Sequence, residues 1–194
     1  MYGYWQRLMD IAVALGVLLF LWPVLLALCL WVRLDSPGQA LFIQRRLGRH
    51  EREFALYKLR TMKTGTQSAG THEVSVRSVT NAGQFLRRTK LDEVPQAINL
   101  LRGELTLVGP RPCLPSQLEV VDERRRRNVF AIKPGITGLA QIREIDMSQP
   151  EKLAKCDAEY MASQGLGTDF RILAATLTGR GQGDRVSVAG NKKS

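Results

Sequence analysis

The chain has 194 residues, a formal net charge of +10 and an ordinary hydrophobic content. That length suits one compact domain plus an appendage, and the basic excess implies an acidic partner: nucleic acid, anionic lipid or a phosphorylated substrate. Cys29, Cys113 and Cys156 are far apart and show no metal-ligand spacing, with only His50 and His72 to assist; this argues against structural zinc and against a disulfide framework.

Residues 11–32 carry no charge and are dominated by Leu, Val, Ala, Phe and Trp. The segment is long enough to cross a hydrocarbon core as a helix, too long for a signal-peptide core, and not followed by a small-residue cleavage site, so it is expected to be retained. Tyr2, Tyr4 and Trp5 before it and Trp31 near its end resemble interfacial anchors. Pro23, in mid-run, removes one backbone hydrogen bond and predicts a kink. A kinked spanning helix and a helix that bends at Pro23 and returns to the same face both fit. Arg33, Arg45, Arg46, Arg49 and Arg52 follow the run and only Arg7 precedes it, which puts the following domain in the cytoplasm and leaves the side of the N-terminus open.

Residues 40–44 and 54–59 read as two short strands around a polar turn. Lys58, Arg60 and Lys63 alternate there with Tyr57, Leu59 and Met62, as on a solvated strand face or a basic edge at a membrane surface. Residues 64–81, rich in Gly, Ser and Thr, read as a loop.

The segment Lys90-Leu91-Asp92-Glu93-Val94-Pro95-Gln96 has the character of a helix start. Thr89 or Asp92 can cap it, Pro95 falls in the first turn, Val94, Ala97, Ile98 and Leu101 repeat at helical spacing, and Gly103 offers a stop. Two acids in the positive field of a helix N-terminus are expected to stay ionised at neutral pH. Arg87, Arg88 and Lys90 stand just upstream. Carboxylates held among cations suit metal binding, attack on phosphorus, or both; simple capping within a solvated charge cluster fits equally well.

Downstream, residues 105–108 form a short apolar strand running into Gly109-Pro110-Arg111-Pro112. The two prolines nearly fix the backbone of Arg111, whose guanidinium can then fork onto a phosphate or carboxylate; an incidental arginine on a rigid turn is the plainer reading. Residues 117–130 look helical and end in the run Arg124 to Arg127, a solvated run or one facing anionic lipid. Residues 133–141 form a turn whose glycines suggest close backbone approach, leading into a short strand. Residues 151–161 and 169–177 read as two helices, the second with Phe170, Leu173, Ala174 and Leu177 on one face, against the core or at the membrane interface. Residues 184–194 look like a frayed basic tail.

Taken together, these segments resemble the bacterial sugar transferases, in particular the small, single-domain monotopic phosphoglycosyl transferases. The likeness runs from the apolar segment to about Gly179 and rests on several motifs in order: Tyr57-Lys58-Leu59-Arg60-Thr61-Met62, the segment from Gly83 through Gln96 with its continuation Asn99-Leu100-Leu101-Arg102-Gly103, Val108-Gly109-Pro110-Arg111-Pro112, and Pro134-Gly135-Ile136-Thr137-Gly138-Leu139-Ala140-Gln141. The resemblance implies an enzyme that moves a phosphosugar from a UDP-sugar to polyprenyl phosphate and releases UMP. It implies Asp92 as nucleophile, Glu93 as ligand to Mg2+, and Lys58, Arg87, Arg111 and Arg143 as substrate-binding positions. It also implies a re-entrant membrane helix broken at Pro23, and a catalytic domain on the cytoplasmic face of the inner membrane, against anionic lipid. The chain departs from the family in having Trp22 where a serine often precedes the proline, Leu139 where tryptophan is frequent, and Arg143-Glu144 in place of a Gly-Arg pair.

The fold expected is mixed α/β and mostly helical: a membrane-embedded helix over residues 1–35, a catalytic domain over 36–182 with short strands and interfacial amphipathic helices, and a basic tail over 183–194. Two other readings stand beside the transferase: a membrane-anchored basic adaptor for nucleic acid or anionic lipid, and a transferase-like chain without activity. No nucleic-acid-binding signature is present, and aromatics do not interleave with the basic residues, so nucleic acid is not expected as a partner.

Overall fold

The computed structural model describes residues 2–66 and 78–179. Most of the loop expected over residues 64–81, and all of the basic tail, lie outside the described residues.

The first element, α1 (Tyr2–Asp35), is apolar around nearly its whole circumference and is the one helix among the described residues long and apolar enough to cross a membrane. It continues through Pro23 without ending. One stripe of it faces the rest of the protein: Asp10, Ala14, Leu28 and Val32 are buried, with Val17, Leu18 and Leu25 partly so. The remaining surface, including Leu19, Phe20, Trp22, Leu26 and Leu30, is exposed apolar area of the kind a soluble surface does not carry.

Both ends of α1 are tied to the same domain. At the start, Tyr2 donates to Asp169 at 2.7 Å, Arg7 donates to the carbonyls of Leu100 and Leu101, and Asp10 accepts from Thr106 Oγ1 at 3.0 Å and Leu107 N at 2.8 Å. Tyr2 is therefore held by the domain, whereas Tyr4 and Trp5 remain exposed as expected of anchors. At the far end, Arg60 donates to the carbonyls of Val32 (3.1 Å), Ser36 (2.6 Å) and Pro37. These carbonyls lie at and just beyond the helix C-terminus, where donors within the helix run out; Val32 O also accepts from Ser36 N at 3.3 Å. The basic edge expected at Arg60 is thus a buried helix cap. Asp35 in turn accepts from Ala82 N at 3.0 Å, at the start of α2.

β1 (Leu41–Leu47) and β2 (Glu53–Leu59) form an antiparallel hairpin with Phe42 opposite Lys58 and Ile43 opposite Tyr57. α2 (Asn81–Thr89) follows, its N-terminus capped by Thr80 Oγ1 accepting from Gly83 N at 3.0 Å. A single left-handed residue, Lys90 (φ 58°), separates α2 from a 3-10 turn over Leu91–Gln96, which runs into α3 (Ala97–Arg102); Gly103, at φ 74°, ends it. The helix start expected at Lys90 is the start of this 3-10 turn, and α2 ahead of it is an element not anticipated. Neither Thr89 nor Asp92 caps the turn: Thr89 Oγ1 donates back to Phe85 O at 2.9 Å, and the 3-10 turn has no side-chain cap. Asn99, fully buried, ties α3 to the hairpin by accepting from Tyr57 N at 3.2 Å and donating to Ala55 O at 2.7 Å.

β3 (Thr106–Val108) pairs in parallel with β4 (Gly135–Thr137). The strand expected after the glycines lies within them, and a short helix, α5 (Leu139–Ile142), follows. The glycines are there because backbone meets backbone: a Cβ on Gly135 would sit 2.1 Å from Gly109 N, and one on Gly138 2.2 Å from Gly109 O. α4 (Leu118–Arg126), α6 (Pro150–Ala162) and α7 (Leu166–Leu177) complete the domain. On α7, Phe170 and Leu177 are exposed while Leu173 packs toward Val108, Tyr160 and Ile172.

The arginine run is not a free cationic surface. Arg124 is buried against Asp157, Arg125 pairs with Glu51 and Asp122, and Arg126 and Arg127 pair with Glu123. Arg125 and Arg126 stay exposed while paired in this way, as a solvated run would be.

Candidate active site

Four separate stretches of chain bring charge to one place. The 3-10 turn carries Asp92 and Glu93, β2 brings Lys58, the last turn of α2 brings Arg87, and the turn after β3 brings Arg111. The left-handed Lys90 makes this possible by turning the chain sharply between α2 and the acids, so that Arg87 and the carboxylates face each other. Glu93 Oε1 accepts from Lys58 Nζ at 2.9 Å and from Arg111 Nη2 at 3.1 Å. Arg87 Nε donates to Thr61 Oγ1 at 2.9 Å. Gly83 lets α2 settle on the Thr61 carbonyl, since a Cβ there would lie 2.0 Å from that oxygen. Arg88 is exposed on the outer side of α2.

The two acids are driven apart in acidity. Asp92 is buried, and burial together with the neighbouring Glu93 charge pushes it up to about 6, against the pull of Lys58, Arg87 and Arg111. Burial pushes Glu93 in the same direction, but Lys58 and Arg111 overcome it and hold the carboxyl well below the usual range. Both acids are therefore still ionised at neutral pH, as expected, but unequally held: hydrogen-bonded cations lock Glu93 in its charged form, and Asp92 is a desolvated carboxylate.

Desolvation strips a carboxylate of the water that would blunt it as a nucleophile, and the fixed cations around it suit a phosphate-bearing substrate. Among the described residues no group of three metal-ligating side chains is present. The donor set of two adjacent carboxylates fits Mg2+, which takes one or two protein carboxylates and completes its shell with water and substrate phosphate oxygens.

Arg143 lies elsewhere. It follows α5, and its guanidinium forks onto Glu159 of α6 at 2.5 and 2.6 Å. Pro23 lies in the exposed middle of α1. Thr61, inside the lysine motif, was not singled out in the sequence; its position beside Arg87 depends on a non-local contact between β2 and α2 that no local pattern reveals.

An acid pair set among fixed cations is an arrangement suited to a phosphate-bearing ligand. Residues 1–181 match the bacterial sugar transferase family, and the chain belongs to it. It is 35% identical over 183 residues to a UDP-glucose:undecaprenyl-phosphate glucose-1-phosphate transferase of Xanthomonas campestris pv. campestris, covering 88% of this chain and 37% of that protein. It is 31% identical over 194 residues to a UDP-N-acetylgalactosamine-undecaprenyl-phosphate N-acetylgalactosaminephosphotransferase of Aeromonas hydrophila, covering 93% and 45%. It is 35% identical over 197 residues to the exopolysaccharide production protein PSS of Rhizobium leguminosarum bv. phaseoli, covering 92% and 97%. The chain thus spans less than half the length of the first two relatives and nearly all of the third.

Proposed function

We propose that this protein transfers a phosphosugar from a UDP-sugar to undecaprenyl phosphate and releases UMP, an initiating step of glycan assembly at the cytoplasmic face of the inner membrane. The observation that carries the reading is the buried Asp92 carboxylate set among Lys58, Arg87 and Arg111 beside an ionised Glu93.

An Asp92 oxygen attacks the phosphorus that bears the sugar. The bond from that phosphorus to the UMP oxygen breaks, UMP leaves as its phosphate anion, and the phosphosugar stays on Asp92 as a mixed anhydride. A phosphate oxygen of undecaprenyl phosphate then attacks the same phosphorus and returns Asp92 as a carboxylate. Neither step requires a proton from the protein. Arg87 and Arg111 offset the diphosphate charge that would otherwise repel the nucleophile, and Lys58 with Arg111 keeps Glu93 charged. Mg2+ held at Glu93 would supply further charge neutralisation of the diphosphate.

The packing of α1 supports a one-sided membrane arrangement. Its first turns, through Tyr2, Arg7 and Asp10, and its last turn, through Arg60 and Asp35, bind the same domain. A spanning helix would put those ends on opposite sides of the bilayer. We therefore read α1 as embedded from the cytoplasmic face, with its apolar middle around Pro23 in lipid, and with α7 presenting Phe170 and Leu177 to the interface. A cysteine introduced at Tyr4 is expected to react with membrane-impermeant reagent only from the cytoplasmic side; labelling only from the periplasm would refute the arrangement.

The reaction is tested by UMP release from a panel of UDP-sugars, with and without undecaprenyl phosphate and Mg2+. Release that needs both the metal and Asp92 supports it. Full turnover in Asp92→Asn would remove Asp92 from the chemistry.

A further inference from the structure

We propose that Arg124, one of four arginines in a basic run, is a positioning residue that sets Arg111 on Glu93 through the Arg111 backbone; this rests on the reading of the acid pair as a phosphate-handling site.

Arg111 lies between two residues that have no N–H, so its segment is fixed through carbonyls. Each is taken by a different element. Pro110 O accepts from Gly135 N of β4 at 2.9 Å, Arg111 O accepts from Arg124 Nη1 of α4 at 2.8 Å, and Pro112 O accepts from Arg46 Nη1 of β1 at 3.0 Å. The backbone from which the Arg111 side chain departs is thereby held from three directions, and its Nη2 reaches Glu93 at 3.1 Å.

The Arg124 guanidinium is itself immobilised. It is 2% exposed, on the α4 face that also carries Val120, and Asp157 on α6 is equally buried. Nε donates to Asp157 Oδ2 at 2.9 Å; Nη2 lies 2.8 Å from the same oxygen as an ion contact, without hydrogen-bond alignment. A fully buried ion pair is a poor source of stability, since desolvation offsets the attraction and apolar replacements are often neutral or better. What this pair provides is a rigid donor aimed at the Arg111 carbonyl. Its three neighbours in the run, paired with Glu51, Asp122 and Glu123, have no such contact with the site.

The test is a double-mutant cycle in the full chain in detergent. Arg124→Met with Asp157→Leu removes the ion pair while keeping apolar packing; Arg124→Lys, which keeps a charge for Asp157 but lacks the fork that also reaches Arg111 O, serves if that pair fails to fold. Each change is made in the wild-type and the Arg111→Ala backgrounds. Two readouts are followed: kcat/KM for UMP release, and pyrophosphate affinity by calorimetry, which needs neither sugar nor lipid. Both are expected to fall about 10-fold to 100-fold in the wild-type background, and the change is expected to have no further effect once Arg111 is alanine. Equal losses in both backgrounds, or undiminished pyrophosphate binding by a folded variant, would overturn the proposal. If the wild type binds pyrophosphate but releases UMP from no donor, the reaction assignment fails while the positioning role is still decided by affinity. A wild type that does not bind pyrophosphate overturns both.

Discussion

At the scale of single residues, the site is an exercise in unequal neighbours. Burial disfavours the charge on both acids, but Glu93 is hydrogen-bonded to two cations that outweigh it, whereas at Asp92 the cations do not. Asp92 titrates higher in the folded chain than in the unfolded one, so its ionisation opposes folding. Asp92 by itself favours the folded state most at low pH, and that contribution is lost as pH rises through about 6; Glu93, held below its ordinary range, contributes in the opposite sense and loses its contribution as pH falls. Asp92→Asn is therefore expected to abolish turnover and yet stabilise the metal-free protein, by about 1–3 kcal/mol at pH 7.5. Thermal melts of both forms should show the gap closing as pH falls to about 4. A variant less stable than wild type at pH 7.5 would contradict the strained-carboxylate account. Glu93→Gln should behave in the opposite way. It leaves Lys58 and Arg111 without their buried anion, and is expected to lower both stability and pyrophosphate affinity.

Elements are held in place by contacts that follow from size and polarity. Gly135→Ala forces a methyl against the Gly109 backbone, and is expected to cost at least about 3 kcal/mol because neither strand can retreat. Gly16→Ala on α1 meets open space and should leave the melting temperature unchanged or slightly raised. Asp10→Ala strands the Thr106 hydroxyl and the Leu107 amide, for a loss of about 1–3 kcal/mol by chemical or thermal melting in detergent. Much of this level was legible in the sequence. The hairpin falls within a few residues of its expected strands, Gly103 ends α3, and the glycines at 135 and 138 mark close backbone approach. What was not legible depends on distant partners. Nothing flags a lysine for the left-handed conformation that Lys90 adopts, and the helix ahead of it, α2, was not anticipated. Asp10 finds its donor Leu107 N 97 positions away in the chain, and Tyr2 its acceptor Asp169, 167 positions away.

Over the whole molecule, charge and apolar surface are separated. The arginine run is neutralised by its own acids, while α1 and the outer face of α7 expose large apolar side chains. Membrane attachment is thus expected to depend on apolar area and to resist salt. Replacing Phe170 and Leu177 by Ser should weaken binding of the protein to anionic vesicles in flotation assays, and replacing Arg125 and Arg126 by Ser should not; the reverse result would restore the run as the lipid contact. The charged cluster was readable because motif order marked Lys58, Arg87, Asp92, Glu93 and Arg111, and the fold places these five together. The supporting layer of Thr61, Arg46 and Arg124 was hidden in segments that read as a strand end, a polar turn and a run facing solvent or lipid. The one sequence sign was that Arg124 stands four residues after the apolar Val120, on the same helix face.

The central claim is that Asp92 carries the phosphosugar. It is tested most directly by incubating the protein and Asp92→Asn with a UDP-sugar and Mg2+ in the absence of undecaprenyl phosphate, and then examining the intact protein and its peptides by mass spectrometry. The account requires a phosphosugar adduct on the peptide that contains Asp92, absent from the variant and discharged when undecaprenyl phosphate is added. UMP release without any adduct, or an adduct that persists in Asp92→Asn, would contradict it.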